Sequence, residues 1–356
     1  MRAMIIASTA AYSGKSGVAV SLVRELQARG ARVGYFKPYG TMPVEVAGVV
    51  TDKDAAYINS TLDAPSPIEA VCPVVRTHAF VEDVLAHRAG SFAERVLHAA
   101  EVCAAGRDLL IVEAPWDLVQ GSSIGLSAPE VAALLDCKAV LIDRPSTAAD
   151  LPDAIVCEGS RFGDRMAGVV FNCVQEQVAD FLSRRTIPFL ASRGIPVFGS
   201  IPFDPVLSSV TVREIAEALG GTILTARDSI DQPVETFMVG AMGQEKALRF
   251  FRRKANKAVV TGGDRSDVQL AALETSTRCI VLTGAMPPSS IVMSRAEELG
   301  VPMVMVEHDT LTAVERMEAL FGHTRLHDPA KVDTMHRMLR ESVDIDGMLA
   351  ACGVPV

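Results

Sequence analysis

Short runs of β-branched and other apolar residues alternate with longer amphipathic stretches along the whole chain, and this alternation constrains the fold more than any other feature. The runs Ala3–Ser8, Arg32–Lys37, Asp108–Glu113, Lys138–Asp143, Met166–Asn172 and Pro196–Ile201 predict strands, and stretches such as Ser16–Arg29 and Phe80–Ala105 predict helices between them. In Ser16–Arg29 the apolar positions Val18, Ala19, Leu22, Val23 and Leu26 form the stripe of a helix packed on a sheet. Strands separated by helices read as a doubly wound parallel α/β sheet. A further helix, Val212–Leu219, ends at Gly220-Gly221, which predicts a boundary there between domains 1–220 and 221–356. The second part repeats the pattern on a smaller scale. Its strands are expected at Glu235–Met242, Ala258–Thr261, Cys279–Thr283 and Met303–Val306. Helices are expected near 243–254, 266–275, 289–299 and 310–321, with a last charged helix at Pro329–Glu341 and a short tail.

Composition removes several classes of function. The net charge is −9 and no basic block interrupts it, so nucleic acid and anionic membranes, which both require clustered cations, are not expected partners. The run Arg249–Lys254 reads as the solvated end of a helix. No apolar stretch reaches the roughly 18–20 residues that span a bilayer, and the apolar start Met1–Ser8 is too short for a signal peptide. Seven cysteines are scattered without a C-x-x-C pair, which predicts reduced, mostly buried thiols in the cytoplasm.

The segment Ser8-Thr9-Ala10-Ala11-Tyr12-Ser13-Gly14-Lys15-Ser16 follows the first strand and opens the first helix, the context that a phosphate-binding loop requires. Backbone N–H groups there face phosphate, a lysine reaches the terminal phosphates and a hydroxyl reaches Mg²⁺. Thr9, Ser13, Gly14, Lys15, Ser16 and Gly17 are the candidate loop residues, although Thr9 stands where the strict motif has glycine. Magnesium wants carboxylates beside the hydroxyl. Glu113 ends an apolar strand and points to the crevice where such sheets bind ligands, and Asp52 or Asp54 could complete the site. Lys37, at the end of the second strand and before Pro38, is a second cation that can face a phosphate or an anionic substrate.

These residues resemble the dethiobiotin synthetase group of P-loop enzymes over roughly the first 210 positions. The resemblance implies a P-loop NTPase domain binding ATP and Mg²⁺, with Lys15 on the phosphates, Ser16, Asp54 and Glu113 on the metal, and Lys37 on the second substrate. It matches Asn172 to an adenine-reading Asn and Gly199-Ser200-Ile201-Pro202 to a turn near the base. The chain departs from that family at Ala10, Ala11, Tyr12 and the loop Glu113-Ala114-Pro115-Trp116-Asp117. The only tryptophan, Trp116, either covers a second site or packs at the domain edge. Further on, Val260–Asp267 with Gln269–Glu274 resembles the smaller α/β domain named for its Asp-Arg-Thr-Gly-Gly motif. Its twin glycines suit a tight turn, and Asp264 or Ser266 could cap the next helix. In that family the domain goes with dimer contacts and regulation.

Together the two parts resemble the non-catalytic N-terminal half of long-form phosphate acetyltransferases. The resemblance implies an Mg-ATP-binding regulatory or sensor protein, a slow ATPase at most. It also implies a homo-oligomer whose partner is an enzyme of acyl or acetate metabolism. Because the chain stops at Val356, no acetyltransferase activity is expected of it. The alternative is an ATP-dependent synthetase that phosphorylates a small carboxylate or carbamate. A zinc site at His323, His327 and His336 is disfavoured by Asp328-Pro329, which breaks any shared helix. Asp143-Arg144-Pro145 and Pro287-Pro288-Ser289-Ser290 follow strands on the ligand-binding side and read as pocket walls or plain loops.

Overall fold

A computed structural model describes residues 1–147, 150–322 and 328–354. The chain forms two compact units, one of Met1–Phe203 with Leu326–Val356, the other of Asp204–Arg325.

The first unit is built on a six-stranded sheet, with β1 (Ala3–Ser8), β2 (Val33–Phe36), β3 (Leu109–Glu113), β4 (Lys138–Asp143), β5 (Met166–Val174) and β6 (Val197–Pro202). The strand order is β6-β5-β4-β1-β3-β2 and every pairing is parallel. All residues of β1 and β3 are buried, as expected of central strands covered on both faces, and this is why they read as unbroken apolar runs. From β1 the chain crosses first to one side, where β3 lies, and later to the other, where β4 lies. The carboxyl end of β1 is therefore the switch point at which such sheets open a crevice. Helix α1 (Lys15–Ala28) starts there. A hairpin, Pro43–Val46 with Val49–Asp52, delivers Asp52 to the start of helix α2 (Lys53–Ser60).

The second unit carries a five-stranded sheet of β7 (Thr222–Ile223), β8 (Thr236–Val239), β9 (Lys257–Gly262), β10 (Thr277–Thr283) and β11 (Met303–Met305). Its order is β7-β11-β10-β9-β8, antiparallel only where β7 meets β11. The strands sort their side chains onto two faces. Ala258, Val260, Cys279 and Val281 pack with Val212, Ile215, Leu219, Ala313 and Met317. Val259, Ile280 and Leu282 pack with Phe251, Val268, Ala272, Val292 and Ala296.

Those cores move the expected boundary at 220. Helix Val212–Leu219 buries its apolar stripe in the second unit's core, so it belongs after the boundary. The C-terminal segment belongs with the first unit. Its helix Pro329–Ser342 sets His336 Nε2 at 2.9 Å and Arg340 Nε at 3.3 Å from Glu25 of α1, and Asp344 N–H donates to the Phe198 carbonyl. Two other expectations change. Phe80–Ala105 is two helices, His78–Leu85 and Ala93–Ala104, because His87 takes a left-handed backbone and Gly90 follows. The tail after 341 contains a helix, Ile345–Ala351, capped by the Asp344 side chain on Gly347 N–H. His323 and His327 lie outside the described residues, and His336 is engaged with Glu25. No described helix is long and apolar enough to cross a membrane.

Candidate nucleotide site

The loop between β1 and α1 holds Tyr12 and Gly14 in left-handed backbone conformations, φ 59° and 84°. Alternating hand in this way turns successive N–H groups toward one concave side, a nest that suits an anion. Helix α1 begins with no side-chain cap and no acidic residue in its first turn, so its opening N–H groups are left for another acceptor. Glycine is required at position 14: a Cβ there would lie 2.1 Å from Asn172 Nδ2, on top of an unfavourable φ. Tyr12 lacks that excuse, and its ring is set against Trp116 at 5.7 Å.

Lys15, Ser16 and Glu113 converge as expected. The Ser16 hydroxyl donates to Glu113 Oε1 at 2.7 Å, and Lys15 Nζ is 3.8 Å from the same oxygen. Register places Glu113 opposite Ile6, two residues before the end of β1. Sequence reasoning missed Tyr35, whose phenol donates to Glu113 Oε2 at 2.8 Å. Burial, then Glu113, pushes the phenol's pKa well above its ordinary value, so it remains a donor. An alternating pattern in β2 with a tyrosine two residues before Lys37 was the available signal.

Lys37 is the centre of this cluster. Its Nζ is 2.8 Å from Asp52 Oδ1 and 3.6 Å from both Asp54 Oδ2 and Glu113 Oε1, with 2% of the side chain exposed. Burial alone would favour the neutral amine, but Glu113, Asp52 and Asp54 outweigh it and hold the ammonium charged. Lys15 goes the other way: burial lowers its pKa below the ordinary lysine value, with Glu113 opposing and Lys37 adding to it. Three carboxylates against two ammonium groups leave the cluster with one net negative charge.

Asp52 and Asp54 separate clearly. Asp52 is fully buried and accepts from Lys37 and from the backbone N–H groups of Thr41, Met42, Asp54 and Ala55. Five donors consume its lone pairs, and it caps α2. Asp54, in the first turn of that helix and 15% exposed, is the carboxylate with an open aspect. Thr9 bonds Asp143 Oδ1 at 2.5 Å, and Ser13 bonds the Ala10 carbonyl at 2.9 Å. Burial raises the Asp143 pKa, with the Thr9 hydroxyl opposing. Gly17 is buried in the first turn of α1.

Asn172 ends up under the loop rather than on open ground. It is buried, and its amide donates to the Ser13 carbonyl at 2.8 Å, bracing the turn around Gly14. Pro202 ends β6 and is exposed. Asp143, Arg144 and Pro145 line a cavity of about 180 Å³ with Phe171. In the second unit the twin glycines have ordinary φ. They are required by close approach, since a Cβ on Gly263 would lie 1.9 Å from the Met286 carbonyl oxygen. Neither Asp264 nor Ser266 caps helix Ser266–Leu273. Gln269 Nε2 instead ties the turn by donating to the carbonyls of Gly262 and Gly263, and Ser289 caps the helix after its own loop.

Comparison with known proteins agrees with this division. An AAA domain model matches residues 2–211 and a DRTGG domain model matches residues 214–320. The phosphate acetyltransferase of Pseudomonas aeruginosa is 24% identical across 100% of this chain and 53% of its own length. That of Deinococcus radiodurans is 25% identical across 97% and 50%. The chain thus spans about half the length of the curated relatives it matches, and corresponds to their N-terminal half. Among solved structures, the CBS and DRTGG domains of the regulatory region of Clostridium perfringens pyrophosphatase, complexed with the activator diadenosine tetraphosphate, align with TM-score 0.30 and 19% identity. That alignment covers 35% of this chain and 54% of that one. With an AAA domain model over residues 2–211 and a DRTGG domain model over residues 214–320, the chain belongs to the AAA domain family and carries a DRTGG domain.

Proposed function

We propose that the first unit binds ATP together with Mg²⁺ and that the protein acts as a regulatory nucleotide sensor with little turnover of its own. The observation that carries this reading is the meeting of Lys15, Ser16 and Glu113 beside an uncapped helix start. The Ser16 hydroxyl with the Asp54 and Glu113 carboxylates is a set of hard oxygen donors suited to Mg²⁺. Among the described residues, no group of three or more His, Cys, Asp or Glu side chains could by itself hold a metal. The cation therefore arrives with the nucleotide, whose oxygens complete its shell. Its chemistry at this place is to neutralise phosphate charge beside a cluster that is itself negative. Without it, the net negative charge of the cluster opposes a polyphosphate.

Slow turnover follows from how the carboxylates are used. Asp52 is saturated, Glu113 holds Ser16 and Tyr35, Asp54 faces Lys37, and Asp143 holds Thr9. Once Asp54, the one with an open aspect, takes the cation, none is left to orient a water. Lys37 is likewise enclosed by carboxylates, which weighs against a ligase that would grip its substrate there. On this reading Lys15 is the phosphate contact and Lys37 positions the acids. Asn172 and Pro202 shape the floor of the site on the base side. The relatives' name suggests that the partner is an enzyme of acyl or acetate metabolism. The second unit would carry self-association and an effector response, in the cytoplasm, where seven unpaired cysteines are stable.

Calorimetry on wild type and Lys15→Ala, with phosphate release followed in the same samples, tests this. Saturable binding that requires both Mg²⁺ and Lys15, with negligible phosphate release, is expected. Equal binding by Lys15→Ala, or none by wild type, refutes the nucleotide site. Turnover stimulated by small carboxylates or amines would replace the sensor with a synthetase.

A further inference from the structure

Beyond the phosphate loop, the first unit contains a cavity of about 430 Å³, within the range of small-molecule sites. One wall is the helix His78–Leu85, whose Val81, Val84 and Leu85 line the space. This helix buries none of its residues, and Leu85 remains 76% exposed. The opposite wall is the loop Val119–Ile124, turned by Gly121 at φ 93°, with Val119 60% exposed. Tyr39 and Phe80 form the base, their rings 6.1 Å apart.

Arg76 is the one charged side chain among the described residues lining this space. Its backbone is fixed by donation from its N–H to the Gly40 carbonyl, at the end of the paired strands Tyr39–Gly40 and Val74–Val75. The guanidinium lies over the Trp116 ring, 5.5 Å from its centroid, and among the described residues no carboxylate is within ion-pair distance of it. Other arginines of the unit do have carboxylate partners, such as Arg24 with Asp333, Arg29 with Glu25 and Arg161 with Glu158. A half-buried guanidinium facing an apolar helix wall, stacked on an indole and without a carboxylate in ion-pair distance among the described residues, is an anion site whose ligand also needs an apolar body.

We propose that this cavity binds a small organic carboxylate with an apolar tail, its carboxylate on Arg76 and its tail against Val81, Val84, Leu85 and Val119. A single guanidinium balances one negative charge and offers a planar fork to a planar carboxylate. A phosphate dianion would want a second positive charge, which the other polar lining residues, Tyr39, Gln120, Ser122 and Ser123, do not supply. The Trp116 ring carries Arg76 on one contact and Tyr12 of the phosphate loop on another, so this chamber adjoins the nucleotide loop without sharing its residues Lys15, Ser16 or Glu113. The inference does not rest on the nucleotide reading, because none of its residues is assigned to phosphate or metal.

The probe is built in, since Trp116 is the only tryptophan. Its emission is titrated in nucleotide-free protein with octanoate, octanamide and inorganic phosphate. Octanoate is expected to give a saturable change, and octanamide to bind roughly ten- to a hundredfold more weakly, the scale of a lost charge-assisted hydrogen-bond pair. Inorganic phosphate should give no response at equal concentration. Arg76→Gln should lose octanoate by a similar factor with its melting temperature retained, and Arg76→Lys should recover part of it. The proposal is overturned if octanoate gives no saturable change, if octanamide matches octanoate, or if Arg76→Gln binds as wild type does. A response to phosphate equal to that of octanoate would make this a bare anion site and refute the carboxylate assignment. Should Arg76→Gln fail to fold, the comparison of octanoate with octanamide on wild type decides the matter alone.

Discussion

Replacing Asp52 and Asp54 in turn separates an acid that holds the fold together from one that serves a ligand. Asp52→Ala removes the acceptor of five donors in a fully buried place and leaves Lys37 with only its two longer contacts, at 3.6 Å. It also strips the cap from α2. Breaking a buried ion pair by removing one partner costs about 3–5 kcal/mol. For a domain of this size each kcal/mol moves the melting temperature by roughly 2–4 °C. The expected drop is therefore about 6–20 °C, read by circular dichroism or scanning calorimetry without ligand. Asp54→Ala leaves the Asp52–Lys37 contact and the cap in place and removes only a 3.6 Å contact of Lys37, so its melting temperature should fall much less than that of Asp52→Ala. Its loss should show in the Mg²⁺-dependent stabilisation by ATP, which the Asp52 variant retains at temperatures where it is folded. If Asp52→Ala melts like wild type and Asp54→Ala does not, the reasoning from donor count is wrong and the two roles are exchanged.

Two further outcomes follow from the second unit. Lys257 is buried with its Nζ on Thr275 Oγ1 and the Ser276 carbonyl, and burial lowers its pKa to about 8 from 10.5. The unfolded chain then binds more protons than the folded unit between those values, so stability should rise as pH increases from 8 toward 10.5. Urea unfolding of wild type against Lys257→Met should show that slope only in wild type. Gly263→Ala drives a Cβ into the Met286 carbonyl and should cost the second unit about 1–3 kcal/mol or more, while ATP binding by the first unit is unchanged, both measurable on one sample.

Much of the fold was legible because strand and helix periods are local properties. The expected strands Ala3–Ser8 and Lys138–Asp143 coincide with the observed ones, and the others shift by one to three residues at an end. The Gly14-Lys15-Ser16 turn was legible for the same reason, since a strand, a glycine and a helix start are neighbours in sequence. Glu113 was reachable by one inference, its place at the end of an apolar run.

What stayed illegible depended on which distant groups meet. The sequence by itself determined two α/β units, a phosphate loop at the first strand and a pair of acids at 52 and 54. The tertiary structure decided that Asp52 is spent on Lys37 and four N–H groups, that Tyr35 supports Glu113, and that Asn172 braces the loop. It also decided the boundary, because helix Val212–Leu219 and the C-terminal helices are amphipathic in sequence and carry no mark of the core that will receive them. An apolar stripe specifies that a face must be buried, whereas the partner is chosen by the sheet that lies within reach once the chain has folded.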